Sequence, residues 1–313
     1  MILLKNDCEK GAGVDLAKTY GVRGYPTFAM VNAGGEVTDC WIGYDGVAAF
    51  IDQVDAARAD RSTIVEKKAR FAAEPTLDLA LRLGRYSETV FASADAVDYY
   101  RKAMALDPLL TGELRGKVFM AMYYGLGSGA FDGSQLLAEG EAIVGDPAAG
   151  VDQVLMVASV ARQVAPADEY LPFLKRALAI TEGAADGEVA GYRQELLVDE
   201  ALLIQGDKPK ALALKRATLD DGWQENPGAL NGFAWWCFEN ELNLDEAYTL
   251  ALKGAELATV PGDRANILDT AAEIAFKLGQ VDKAIEHETE AIRLAPERAA
   301  FQKTLERFKG GEG

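Results

Sequence analysis

Thiol chemistry is the first possibility this sequence raises, and three positions decide it: Cys8, Cys40 and Cys237 are its only cysteines. No two are separated by two residues, so the Cys-x-x-Cys of a disulfide exchanger is missing and the spacings suit no zinc site. Neither Cys8, after a short apolar run, nor Cys40, in a stretch with strand character, heads a helix that would lower a thiol pKa. Both read as small half-buried side chains. His287 is the only histidine, set in Glu286-His287-Glu288 with no serine or cysteine nucleophile at motif spacing, which excludes a Ser-His-Asp triad. Gly125-Leu126-Gly127-Ser128-Gly129 has no following Lys-Ser/Thr and no preceding strand, so it reads as an inter-helix turn and not a phosphate loop. The acidic pairs Asp199-Glu200 and Asp220-Asp221 read as solvated helix ends, not as glycosidase or metal carboxylates. The chain's own residues therefore predict no catalytic group, no metal and no cofactor.

The elements around these residues belong to a chain of 313 residues, 49% hydrophobic and 26% charged, enough for two structural parts with sizeable cores. Its net charge of -17, from 49 acidic and 32 basic residues, repels phosphate backbones and anionic lipid surfaces, so nucleic acid is not an expected partner. The acidic excess reads as solubility, with attraction of basic protein segments as the functional alternative. The N-terminal run from Met1 to Asp7 is too short for a signal peptide. No later segment approaches the about 18 apolar residues of a membrane span, so membrane insertion is not expected.

Residues 2–5 read as a strand, 6–13 as a turn-like stretch and 14–20 as a helix. Two antiparallel strands follow at 28–31 and 36–42, joined by a hairpin turn at Gly34-Gly35. Residues 45–59 close the segment as a helix with Val47, Phe50, Ile51 and Val54 at helical spacing. After Asp60 the strand signals stop.

The motif Gly21-Val22-Arg23-Gly24-Tyr25-Pro26-Thr27, the apolar strand behind it, the Gly-Gly hairpin and Gly43 resemble the second half of the thioredoxin fold. The resemblance implies that the Tyr25-Pro26 bond is cis and that Tyr25, Pro26 and Thr27 form the loop whose backbone pairs with an extended substrate. The family's first two strands, the helix between them and the Cys-x-x-Cys are not in this sequence. In the family's sheet the missing second strand lies between those matching 2–5 and 28–31, so its removal leaves two open edges. Either the remaining strands rearrange, or something else fills the gap, or, as the favoured reading, the chain is a fragment of a longer product. Its parent would be a thiol-disulfide oxidoreductase with its Cys-x-x-Cys upstream of Met1, while the chain itself would perform no redox step.

From residue 61 to the end, helical runs alternate with short turns. In residues 269–296, Ala272, Leu278-Gly279, Ala284, Ala291 and Pro296 fall at the spacing of a tetratricopeptide repeat, a two-helix unit in which small residues let the helices approach and a proline ends the second. Ala247 and Gly254 mark a second unit and Ala211 a third; Ala211, Ala247 and Ala284 lie 36 and 37 residues apart. Leu83-Gly84-Arg85-Tyr86 with Ala96, Ala103 and Pro108 reads as an irregular unit, with about two extra helical turns after a turn at Gly84. Between 111 and 183 the pattern predicts helices near 117–124, 135–144, 151–164 and 168–181. Residues 297–309 read as a solvated helix that caps the last apolar face.

The expected fold is thus an α+β partial thioredoxin-like domain (1–60) followed by an all-α helical-hairpin, tetratricopeptide-like solenoid (61–313), with a protease-sensitive joint around 57–62. The repeat resemblance implies binding of a protein or peptide client in a groove lined by first helices. Asn231, Trp235 and Trp236 are the candidates there, and the two tryptophans read equally as core packing. The function read from this is an interaction module of a thioredoxin-family protein. The family likeness favours an extracytoplasmic location and leaves the oligomeric state open.

Overall fold

The computed structural model describes residues 4–185 and 187–310. It divides into two compact units, Met1–Gly183 and Ala184–Gly313, each described by itself.

The first unit opens with α1 (Ala12–Thr19), then β1 (Thr27–Val31) and β2 (Val37–Ile42), then α2 (Val47–Ala59). The β-branched and aromatic residues of Thr27–Val31 and Val37–Ile42 form an antiparallel pair, with Phe28 opposite Trp41 and a register shift after Met30. The turn is held by Asn32, whose side-chain oxygen accepts the N–H groups of Gly34 and Glu36, while Gly35 takes a φ of 82°. Most of the expected strand at 2–5 lies outside the described residues, and Leu4 and Lys5 are not in a strand. Among the described residues the sheet has two strands.

The composition change near residue 60 marks a switch of secondary structure inside one compact unit. The segment there is tied down. Lys67, in α3 (Ile64–Ala73), is fully buried, and its ammonium donates to the carbonyls of Thr38, Asp60 and Ser62. On α4 (Leu77–Thr89), Arg82 and Arg85 both donate to Asp39, a β2 side chain that is 1% exposed. A buried carboxylate needs such partners, and β2 is thereby fixed against the first helical hairpin.

That hairpin corrects the sequence reading. Gly84 is no turn: Leu83 to Tyr86 lie within α4, and the turn falls at Val90–Ala92, with Phe91 at a φ of 58°. No extra helical turns are inserted before α5 (Ser93–Leu106). Gly84 is instead a contact residue, because a Cβ there would meet the Tyr100 ring at 2.6 Å. A glycine followed by Arg-Tyr looks like punctuation in sequence; what selects it is the bulk of a side chain sixteen positions later.

Helices α6 (Thr111–Gly125), α7 (Gly133–Val144), α8 (Val151–Val164) and α9 (Ala167–Ile180) complete the unit near the expected positions. A short 3-10 turn, Leu126–Ser128, occupies the glycine-rich stretch.

The second unit contains α10 (Gly187–Asp199), continued by a π-type turn at Glu200–Ile204, and α11 (Lys208–Ala217). Asp199 is 4% exposed within this continuous helix, so the Asp199-Glu200 pair is not a solvated helix end. Then come α12 (Pro227–Glu239), α13 (Leu244–Leu257), α14 (Pro261–Lys277), α15 (Val281–Leu294) and α16 (Ala299–Gly310). Ala211, Ala247 and Ala284 each occupy the fourth position of the second helix of a pair, and all are buried. Small residues at this register let the paired backbones approach, and the same logic places Gly254 against Leu230 and the Pro227 carbonyl. Helix α16 closes the unit by burying Phe301, Leu305 and Phe308. No helix among the described residues is long and apolar enough to cross a membrane.

Candidate functional site

The polar residues of the second unit that could hold a ligand gather where α12, the end of α13 and the start of α14 meet. A cavity of about 390 Å³ is lined there by Asn226, Asn231, Leu257, Asp263, Asn266 and Ile267, among others. The sequence builds it in two steps. Pro227 and Pro261 occupy the first turns of α12 and α14, where a missing N–H costs nothing, and so fix where both helices start. Asn226 then caps α12, its side-chain oxygen accepting from the N–H groups of Gly228 and Ala229.

Three amide side chains thus line one pocket with their oxygens committed or shielded. The Asn226 oxygen serves the cap, the Asn266 oxygen accepts from Arg298, and the Asn231 oxygen is buried with no hydrogen-bond partner. Among the described residues no acceptor pairs with their Nδ2 groups, and the exposed Asp263 supplies an acceptor in the same lining. Donors grouped around an acceptor match the alternating carbonyl and N–H groups of an extended peptide. Leu257 and Ile267 add apolar wall. No resident cofactor is implied, and among the described residues no three His, Cys, Asp or Glu side chains gather at metal-ligand spacing.

Of the residues the sequence singles out, Asn231 lines this pocket and the tryptophans do not. Trp236 is 8% exposed in the core, stacked on Phe233 at 6.1 Å, and Trp235 packs on Phe238 at 5.1 Å. Trp236, five positions on, lies about 140° round the helix from Asn231, in the core; Trp235, four positions on, shares the side of Asn231 one turn further along and does not line the cavity. Asn226, Asp263 and Asn266 were missed because they read as cap and surface residues; a signal was available in Pro227 and Pro261, which mark two helix starts that can meet.

The second candidate region lies in the first unit. The Tyr25-Pro26 bond is cis. Tyr25 is 61% exposed, Pro26 is also exposed, and Thr27 donates its hydroxyl to the Gly24 carbonyl at 2.7 Å. The Pro26 carbonyl accepts the N–H of Gly43, so the loop is anchored to the end of β2. Around it an apolar surface stands open: Tyr44, Val47 and Ile51 are each half or more exposed. The stripe expected on α2 is therefore only partly covered, with Phe50 packed on Phe28 at 4.9 Å.

Two of the three thiols, Cys40 and Cys237, are buried, and Cys8 is half-buried. Burial, reinforced by the neighbouring Asp39 charge and opposed by Arg85, pushes Cys40 up to about 12. Burial, with Glu246 adding and Arg216 opposing, does the same to Cys237, at about 12. The thiolate form that attacks a disulfide is therefore suppressed at both. His287 accepts or donates a 2.7 Å bond with the Tyr248 hydroxyl, and burial lowers its pKa against the opposing charge of Glu286.

No family model matches the sequence, and no curated protein matches it. Among solved structures, the chain is similar to one described as the crystal structure of the APC/C hetero-tetramer Cut9-Hcn1, with 15% sequence identity and a TM-score of 0.45. The match covers 77% of this chain and 45% of that one, so this chain spans less than half of its structural neighbour.

Proposed function

We propose that this chain is a polypeptide-binding module in which the helical hairpins hold an extended segment of a partner protein. The observation that carries this is the pocket between α12, α13 and α14, where Asn226, Asn231 and Asn266 present amide donors beside Asp263. Each amide would donate to a backbone carbonyl of the partner, and Asp263 would accept from an N–H or a basic side chain. The test is selection of peptides from a display library on the full chain, followed by titration of the best binder into variants. Asn231→Ala and Asn266→Ala are each expected to weaken binding about tenfold, the loss of one well-placed hydrogen bond. Tyr25→Ala should leave binding unchanged. Equal affinity for all three variants contradicts the assignment.

A second reading concerns residues 1–60, proposed as a thioredoxin-related part whose loop Tyr25, Pro26 and Thr27 contacts clients. The open apolar surface of Tyr44, Val47 and Ile51 favours it, because such a surface in the thioredoxin fold belongs beneath a further layer of the same domain. With Cys40 and Cys237 buried, the chain itself is expected to be inert in an insulin-disulfide reduction assay. Reduction by the isolated chain would overturn that expectation, and activity in a version extended upstream through a Cys-x-x-Cys would support the family assignment.

A further inference from the structure

Glu288 on α15 is a charged side chain buried without a partner of opposite charge. Four residues after the small residue near the start of each second helix, α5 has Tyr100, α11 has Lys215, paired with Glu195 at 2.8 Å, and α13 has Ala251; α15 has Glu288. Its side chain is fully buried, and neither carboxyl oxygen meets an N–H or O–H donor. The group that faces it is a second carboxyl, Asp269 of α14. The other charged groups that face the pair are Glu273, one turn further along α14, Arg307 of α16, and Arg298 between α15 and α16. Both arginines are already engaged: Arg307 donates to Glu273, and Arg298 donates to Asn266.

Two carboxylates in such a setting cannot both keep their charge, because burial penalises each and each repels the other. One proton removes the conflict. It turns one carboxyl into the donor that the other lacks, and the pair becomes a charge-assisted hydrogen bond between α14 and α15. We propose that Asp269 and Glu288 form a proton-sharing carboxyl clasp, and that loss of its proton to solvent loosens the last hairpin and its closing helix. What the clasp holds in place is visible beside it. Phe308 of α16 packs on the buried Ala272, Ala275 and Ala284 of α14 and α15, and it stacks on Phe276 at 4.6 Å. When the pair ionises, repulsion between α14 and α15 disturbs that alanine floor, and α16 loses its seat.

The direction of the effect follows from the shifts. Burial and the Glu273 charge raise both carboxyls above their ordinary range; Asp269 raises Glu288 further by charge and hydrogen bond, whereas the hydrogen bond with Glu288, Arg307 and Arg298 oppose the shift at Asp269, and Arg307 opposes it at Glu288. The folded chain therefore holds a proton that the unfolded chain has released above the ordinary carboxyl pKa of about 4.3. Its stabilising contribution is present at mildly acidic pH and is lost as pH rises through the raised values.

The test is infrared spectroscopy of the full chain across about pH 5 to about pH 9, beside hydrogen exchange of α16. The wild type is expected to keep a protonated-carboxyl C=O band at neutral pH that disappears on alkalinisation, with at least a tenfold fall in the protection of α16, measured relative to the intrinsic exchange rate at each pH, over the same range. Glu288→Gln supplies a permanent donor and should abolish the band while keeping α16 protected at every pH; Asp269→Asn should behave alike if Glu288→Gln folds poorly. A wild-type spectrum with no protonated carboxyl at neutral pH overturns the proposal, as does α16 exchange that is equally pH-dependent in the variants.

Discussion

Two hairpins with the same interval pattern show what the repeat register fixes and what it leaves free. In α4–α5 the residues Gly84, Ala96, Tyr100, Ala103 and Pro108 recur at the intervals of Ala272, Ala284, Glu288, Ala291 and Pro296 in α14–α15. The small residues fix how closely the two helices approach, and the prolines end the pairs. The rest differs. Where the first hairpin takes a buried tyrosine, bonded to Glu88 at 2.6 Å and accommodated by Gly84, the second takes an alanine and a carboxyl pair. Asp78, at the register of Asn266, is held by Arg82 at 2.8 Å, and β2 covers α4 through Asp39. The N-terminal end of α14 is uncovered and lines a cavity. One hairpin is closed off by a sheet, and the other has a helix start that lines a cavity.

Substitutions at Asp39, which joins β2 to α4, and at Asp263, on the uncovered start of α14, should separate these roles most sharply. Asp39→Ala strands two arginines against a buried site and is expected to cost about 3 kcal/mol in denaturant titration of the full chain. Asp263→Ala, at an exposed pocket residue, should change stability by less than about 0.5 kcal/mol. Near-equal losses would mean that β2 is not integral to the first hairpin.

Next in size is the exchange of the small residues themselves. Gly84→Ala drives a Cβ into the Tyr100 ring and should cost about 1–3 kcal/mol, an effect that Tyr100→Leu relieves in the double variant. The reciprocal Ala272→Gly removes one methyl group from a helix interior and should cost only about 1 kcal/mol, chiefly through helix propensity. A smaller effect separates the hairpins by pH. Burial lowers the His287 pKa, so its neutral form stabilises the second unit at pH above the ordinary histidine value of about 6.5. That contribution is lost as pH falls through the unfolded value. Thermal melts should show an acid-side slope that His287→Gln flattens, and an unchanged slope would remove His287 from the account.

How much of this was legible in sequence depended on whether the deciding contact was local. The helix of residues 12–19, the hairpin and most helical spans follow periodicity and turn chemistry, and both alanine and proline spacings in α14–α15 read correctly. Gly84 misled because its reason is the Tyr100 ring, not its own backbone. Asp39 and Lys67 gave no signal, since their partners lie in other elements and a charged residue in a strand or amphipathic helix looks solvated. The pocket was legible at one residue, Asn231, because Asn226, Asp263 and Asn266 become neighbours only when two helix starts meet. Trp236 drew attention by its type, while its helical phase put it in the core.

The starts of α12 and α14 are proposed to hold an extended polypeptide. The most direct measurement is a nitrogen–proton NMR titration of the full chain with a display-selected peptide, following side-chain amide signals. The claim predicts that the NH₂ resonances of Asn226, Asn231 and Asn266 shift together, with backbone signals of Leu257 to Ile267, while Tyr25 to Val31 stay still. Shifts confined to Tyr25 to Val31, with the three asparagines unmoved, would contradict it.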